Sequence, residues 1–536
     1  MNENRINRRK FACLAPAFAA SALMPGRLFA AEKECGFERV FAKVERAKKP
    51  PIPAGKRSSG GLDCFGVETG PDGVLLKFPN FSDRLKRLRN PRIKLALGNA
   101  LENRDCFELI ALSAKDGRVL SKLEVVNLFG FEPLRLDIPN SAAEEIGRFG
   151  IRLTRVLSER GDAQKLRRGE PVCLFSESVA STLDALAPHM LLYSEDFNPR
   201  SAFYENLCSL NSILPFGWMS GCQTEGLREL AQSGDARAAR ALRAHLDFFL
   251  DDEKGVVFND PDARPCENGR FHSIEDFLPF VAICKLRPEH KSIGMFLDWA
   301  LPRIERAAKV SADKRFLSTE GCYTYAYPLM QIASMRSDKN LAQTAIDEIR
   351  ARISRLVDSE GGISQRANPG KNPRMRNWSR GAAWFVLGLV QTLRVLGDSQ
   401  LKNANLDGVS QIRKSLSDSL KYLAQFQCPN GSWYCFADDP KTGSEATGTT
   451  GIAAAFALAA ESGFADSSYA ARAKKAFDWF MSPENVEPDG LAKNATQSNR
   501  IGDAFQRSGY RVIMQISSGF AAQIMAVKMR MRSMRA

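Results

Sequence analysis

The chain has 536 residues, 44% of them hydrophobic and 25% charged, and its 75 Lys and Arg against 61 Asp and Glu give a net charge of +14. That length exceeds one ordinary core, so two domains or one large closed architecture is expected, and the composition excludes a disordered or fibrous chain. Only four histidines are present, His189, His245, His272 and His290, which disfavours a histidine-built zinc site or an isomerase that needs several catalytic histidines.

Residues 1–31 read as an export signal: a basic start, a short Ala-rich apolar run, and small residues at Ala30-Ala31. Arg8-Arg9-Lys10-Phe11 gives it the twin-arginine form, and Pro16, Pro25 and Gly26 argue against a buried helix there. Its removal takes five basic residues and one acidic, leaving about +10 on the mature chain. No later stretch reaches the ~18 apolar residues of a membrane span, so a periplasmic or extracellular protein is expected. Cys13 leaves with the signal. Cys428 and Cys435 flank a Pro-Asn-Gly turn; a disulfide there suits an oxidising compartment, and burial as small apolar residues is the other reading.

Residues 32–59, with Lys48-Lys49-Pro50-Pro51, read as a linker. Short alternating runs follow at Gly73–Phe78, Ile93–Leu97, Phe107–Leu112, Leu134–Ile138 and Ile151–Leu153, between Gly, Pro, Asn and Asp clusters. They predict a β-sandwich over 60–185 that packs on the barrel or in an oligomer rather than carrying catalysis. From residue 190 the period becomes helical. Amphipathic segments are read near 222–233, 235–251, 273–286, 291–309, 322–336, 339–357, 381–397, 408–427, 446–462, 466–482 and 508–533, with a poorer one near 201–213. Eleven or twelve helices with short alternate links predict a six-hairpin α/α barrel over 190–536; an open solenoid is the competing architecture. The irregular loops 252–272, 358–380 and 428–446 are where a site is sought.

The strongest local pattern is Arg374-Met-Arg376-Asn377-Trp378-Ser379-Arg380-Gly381-Ala382-Ala383-Trp384. A Trp face stacks on a sugar ring and Arg380 can grip a carboxylate with two prongs, although both Trp can equally be core anchors. Asn377–Trp384 resembles the Trp-Ser-Arg-Gly helix start of the unsaturated glucuronyl and rhamnogalacturonyl hydrolases, glycoside hydrolase families 88 and 105. Trp218-Met-Ser-Gly221 with Gly226–Leu230 is similar to their first barrel helix, and Trp433 followed by Glu445–Gly451 to a later segment; the resemblance spans about 200–533. It implies a six-hairpin barrel acting on uronic acids, with no metal or organic cofactor. It also implies two carboxylates, one of which protonates the vinyl-ether carbon of a 4,5-unsaturated uronide while water adds across the double bond.

By that resemblance the catalytic candidates are Glu275, Asp276 and Glu320, and the substrate-binding candidates Trp218, Tyr323, Gln365, Trp378, Arg380, Trp384, Trp433 and Glu445. Glu275 and Asp276 have a structural alternative as a helix cap behind Ser273. The chain departs from the family where its second Asp is expected, with Gly321 or Cys322 there and Glu320 one residue earlier. Gln365 stands where the family has His. Tyr323, Tyr325 and Tyr327 are candidates for an apolar wall around the acid; a lyase would need a Tyr or His base, and these with His272 match no lyase motif. The expected partner is an acidic oligosaccharide or polysaccharide fragment. A saturated-uronide glycosidase and a non-catalytic glycan-binding barrel remain open, whereas scattered positive charge without a nucleic-acid motif argues against nucleic acid.

Overall fold

The computed structural model describes residues 36–45, 52–53, 56–70, 73–88, 90–158, 169–258, 271 and 273–533. The expected signal with Cys13, parts of the 32–59 and 252–272 segments, and His272 lie outside the described residues.

The amino-terminal part is β-rich. Its strands are β1 (Phe37–Phe41), β2 (Lys43–Glu45), β3 (Cys64–Val67), β4 (Val74–Lys77), β5 (Arg92–Gly98), β6 (Asn103–Ser113), β7 (Val119–Leu128), β8 (Pro133–Ile138), β9 (Ile151–Leu157), β10 (Val172–Phe175) and β11 (His189–Tyr193). They pair antiparallel into a sheet of order β1-β11-β5-β8, a second of order β2-β4-β9-β6-β7, and the pair β3-β10. Two short helices, α1 (Phe81–Leu85) and α2 (Ala143–Phe149), accompany them. Alternate residues of both larger sheets, such as Leu95 and Leu97 of β5 and Phe107, Leu109 and Ala111 of β6, enter one apolar core, as the two-residue period of a strand requires.

Two sequence expectations change here. Residues 37–45 lie in the segment read as linker and form β1 and β2, with Val40, Ala42 and Val44 turned to the core at the two-residue period of a strand. Strand β11 crosses the expected boundary near 185–190 and sits inside the first sheet between β1 and β5.

The helices are α3 (Pro199–Leu207), α4 (Trp218–Gln232), α5 (Ala236–Phe249), α6 (Phe280–Leu286), α7 (Ser292–Ala308), α8 (Tyr327–Arg336), α9 (Lys339–Leu356), α10 (Ser379–Asp398), α11 (Val409–Ala424), α12 (Ala446–Glu461), α13 (Ser468–Phe480), the short α14 (Asp503–Gln506) and α15 (Ile516–Ser533). Successive contacts α4–α6–α8–α10–α12–α15 return to α4, so six helices close an inner ring, with α5, α7, α9, α11 and α13 as their hairpin partners. The open solenoid is thereby excluded. Inner helices are buried on nearly every face, whereas α5 and α11 bury one stripe, as their positions demand. Closure is tight at α4–α15, where a side chain on Gly226 would run into the backbone of Gly519.

Helix boundaries differ from the sequence reading at two places. The segment 273–286 becomes one turn at Ile274–Asp276 and then α6, because Pro279 interrupts the backbone ladder. The segment 508–515 begins and ends in turns, with a bridge from Val512 to Ala495 between them, and α15 begins only at Ile516. No helix among the described residues is long and apolar enough to cross a membrane.

Candidate active site

Glu320 is positioned by a small sheet at one mouth of the ring. Three strands, Leu317–Ser318, Ser364–Ala367 and Arg374–Arg376, lie side by side, and the Thr319 N–H donates to the Gln365 carbonyl at 2.8 Å. The chain turns helical at Glu320 and passes through a π-turn at Cys322–Ala326 before α8. Such turns insert an extra residue and re-aim the side chains around them. The Glu320 carboxylate is 7% exposed. Gln365 Nε2 donates to both of its oxygens, at 2.7 and 2.8 Å, and Asn499 Nδ2 donates to Oε1 at 3.0 Å.

The neighbouring positions have no room for another acid. A side chain on Gly321 would collide with the Arg352 guanidinium, which is fully buried and donates from Nε to the Ser318 carbonyl at 3.0 Å. Cys322 packs against Gly388 of α10, and burial pushes its thiol up to about 12. Of residues 320–322, only Glu320 brings an acid to this mouth.

Glu275 sits on the one-turn helix Ile274–Asp276. Ser273 caps that turn, its Oγ accepting from the Glu275 N–H at 3.1 Å while its own N–H donates to Asp276 Oδ2 at 3.1 Å. This reciprocal cap consumes Asp276, which is 2% exposed and does not line the pocket. Asp276 is therefore corrected from a catalytic candidate to a cap. Glu275 does line the pocket, one third exposed, with Oε2 3.6 Å from Arg500.

The pocket holds ≈ 100 Å³. Trp218, Trp378 and Trp384 line it beside Glu275 and Glu320; Trp218 and Trp384 meet edge to face at 5.6 Å. Ser498–Ile501 form a further wall, and Glu102, Arg104, Asn127 and Phe129 bring a fourth from the β-rich part. Phe129 packs edge-on against Trp218 at 6.2 Å.

Other candidates hold this site rather than face it. Arg380 lines the pocket, but Nη1 and Nη2 donate to the Thr496 and Gln497 carbonyls at 2.7 Å each, and its guanidinium lies 4.6 Å over Trp378. Its two prongs are thus spent on the 496–501 wall and not on an anion. Glu445 caps α12 through the Thr447 and Gly448 N–H groups and accepts from Thr496 N–H at 3.0 Å. Trp433 is fully buried and donates Nε1 to the Leu423 carbonyl at 2.8 Å. Tyr323 is buried between Tyr327 and Trp384, its hydroxyl accepting from Gln523 at 3.1 Å, and Tyr327 donates to Glu225 at 2.7 Å. Trp433, Tyr323 and Glu445 are corrected to core and cap roles, and Tyr323, Tyr325 and Tyr327 do not line the pocket as the expected apolar wall. Gln365, expected to bind substrate, does not line the pocket and donates instead to Glu320. Arg376 instead pairs at the surface with Asp358 at 2.6 Å and Glu360 at 2.9 Å. Cys428 and Cys435 are free thiols.

Sequence reading missed Asn499, Arg500 and the wall from the β-rich part. Asn499 and Arg500 fall in a polar stretch without motif, and Glu102–Phe129 reach the pocket only through tertiary packing. Below the wall, Glu132 is buried, accepting from Gln497 Nε2 at 3.1 and 3.2 Å and from the Phe129 N–H at 2.9 Å. Burial pushes its carboxyl up to about 8. No group of three or more His, Cys, Asp or Glu among the described residues could hold a metal ion.

Residues 319–533 match the model of Glycosyl Hydrolase Family 88. No curated protein matches the chain. Solved structures that resemble it include a possible member of glycoside hydrolase family 105 from Salmonella enterica serovar Paratyphi A, at 17% identity over 61% of this chain and 84% of that one, with a TM-score of 0.49. A family 105 hydrolase from C. acetobutylicum shows 13% identity, 61% and 99% coverage and a TM-score of 0.48. Unsaturated glucuronyl hydrolase from Bacillus sp. GL1 shows 14% identity, 63% and 96% coverage and a TM-score of 0.45. The matched segment opens one residue before Glu320 and contains Asn377–Trp384.

Proposed function

We propose that the protein is a glycoside hydrolase that removes a terminal uronic acid residue, of preference a 4,5-unsaturated one, from an acidic oligosaccharide. The observation that carries this reading is the presence of Glu275 and Glu320 in one pocket lined by three Trp. Trp218, half-buried where Trp378 and Trp384 are fully buried, suits a sugar ring, and Arg500 and Arg104 offer positive charge for its carboxylate. Glu320, gripped by Gln365 and Asn499, is a fixed acceptor that suits activation of water. Glu275, one third exposed, can exchange protons with solvent and deliver one to the vinyl-ether carbon. Water then adds at the adjacent ring carbon; the resulting hemiketal opens to a ketone, and the hemiacetal left at the anomeric carbon collapses to an aldehyde and releases the rest of the chain as an alcohol.

The departures at Gly321, Cys322 and Gln365 favour a second reading, cleavage of saturated uronides by the same two carboxylates. A glycan-binding barrel is the third. We also propose that the protein works outside the cytoplasm, on the strength of residues 1–31, and that the two sheets sharing one core form a β-sandwich.

A panel assay separates the readings. Lyase-generated oligosaccharides are followed by loss of the conjugated double bond's absorbance, alongside aryl glucuronides and galacturonides followed by aryl release. Turnover in the first set is expected, with Glu320→Gln and Glu275→Gln each lowering kcat by roughly 10²–10⁴. Release only from aryl uronides selects the saturated-uronide reading. Binding without turnover, unchanged in both variants, leaves the glycan-binding barrel.

A further inference from the structure

We propose that the β-rich part completes the substrate site, with Arg104 as a specificity-determining residue that selects a negatively charged sugar. This rests on the reading above that the pocket takes a uronic acid. Arg104 lies at the start of β6, where the register with β7 shifts between Asn103 and Cys106; such bulges re-aim side chains. The residue is held from several sides. Its N–H donates to Glu170 at 2.5 Å, and its Nε donates to the buried Glu102 carboxylate at 2.8 Å. Asn103 anchors the same bulge through the Glu170 and Pro171 carbonyls, at 3.2 and 3.1 Å. A guanidinium fixed in this way, lining the pocket with its side chain 20% exposed, loses little freedom when it meets a carboxylate.

The wall itself is rigidly docked. Asp489 is buried with Arg135 at 2.8 Å and Arg39 at 3.4 Å, and Lys94 reaches Glu487 at 2.7 Å. Tyr510 accepts from the Val126 N–H at 3.1 Å and donates to the Glu124 carbonyl at 3.2 Å. All of these barrel partners lie between α13 and α15, in the segment that also supplies Ser498–Ile501 to the pocket. The position of Arg104 relative to Glu320 and Arg500 is therefore built into the packing of the two parts. A barrel of this kind without the β-rich part would be open on that side.

The test compares a uronide with its own methyl ester, which keeps the ring and removes the charge. In the full-length protein, Arg104→Met is expected to raise KM for the unsaturated uronide roughly tenfold or more, with little change for the ester and the effect in KM rather than kcat. Arg104→Lys should recover part of the selectivity. The double variant Glu102→Gln, Arg104→Met, which leaves no buried carboxylate behind, should match the single variant, and melting curves check that each is folded. Equal effects on acid and ester, or none, overturn the proposal and leave Arg104 as scaffold. Calorimetry with glucuronate and its methyl ester runs beside the kinetics. Acid-selective binding lost in Arg104→Met without any turnover keeps this inference while the hydrolase reading falls. Wild-type protein that shows no preference for the acid in either measurement overturns the inference even if hydrolysis is found.

Discussion

Gly321 leaves no room for an acid beside Glu320. Arg352 fills the space that a side chain at 321 would need, and it is itself committed to the Ser318 carbonyl and to Glu348, at 3.0 and 2.7 Å. Gly321→Asp is accordingly expected to destabilise the protein by about 1–3 kcal/mol through overpacking and not to replace Glu320 in a Glu320→Gln background. Thermal melting and turnover of the double variant check this; recovered activity would mean that Arg352 moves aside. At this scale the sequence was informative about residue type more than about role. Glu275 and Glu320 are candidates from motif position, and both line the pocket. Asp276, Glu445, Trp433 and Tyr323 carry equally suggestive chemistry, yet their polar atoms are consumed by a cap, a second cap, a carbonyl and a glutamine. A carboxylate that caps and one that faces a pocket look alike in a sequence, because the partners that separate them are distant residues or backbone N–H groups.

Elements were legible where one apolar face repeats at a regular period. The hairpin helices α5, α7, α9 and α11 fall within a few residues of their expected limits, since their outer faces are polar and their inner stripes apolar. The inner helix α12 shows how caps serve the site. Glu445 ends its approach by accepting the Thr447 and Gly448 N–H groups, and the same carboxylate holds Thr496. Glu445→Ala is expected to cost about 1–2 kcal/mol as a lost cap, to speed hydrogen exchange at the Thr496 amide, and to raise KM by loosening the 496–501 wall. Glu445→Gln, which keeps one acceptor oxygen, should fall between. Exchange at Thr496 unchanged in Glu445→Ala would show that Arg380 alone holds that wall. Strands β1 and β2 were not legible, because they gain their identity by pairing with β11 and β4, far along the chain.

The closed ring was legible in the whole chain because it follows from a count of amphipathic helices and short links, but the joint between ring and sheets was not, since it is made of single long-range contacts. That joint sets an expected dependence of stability on pH. Glu132 lies within it, and burial raises its carboxyl from an ordinary 4.5 to about 8. The folded protein then binds more protons than the unfolded chain between those values, so stability falls as pH rises through that window, by roughly 5 kcal/mol across it. Burial acts in the opposite sense on His189 and His245, lowering them from 6.5 to about 3 and about 4. The unfolded chain binds their protons first, so stability is lost as pH falls below 6.5. Asp489 and Glu487, held below the ordinary carboxylate range by Arg135 and Lys94 against the opposing cost of burial, add to the acid-side loss at lower pH. Between 6.5 and 4.5 two histidines oppose one glutamate, which places the expected maximum near pH 6.5. Glu132→Gln keeps an acceptor for Gln497 and for the Phe129 N–H and removes the titration. Melting temperatures from pH 5 to 9 should decline above 6.5 in the wild type and stay nearly level in Glu132→Gln, while below 6.5 the variant loses stability about twice as steeply, because no glutamate then opposes the two histidines. Parallel curves above pH 6.5 would show that Glu132 is ionised at the joint and that the two parts are held by the Asp489 and Glu487 ion pairs alone.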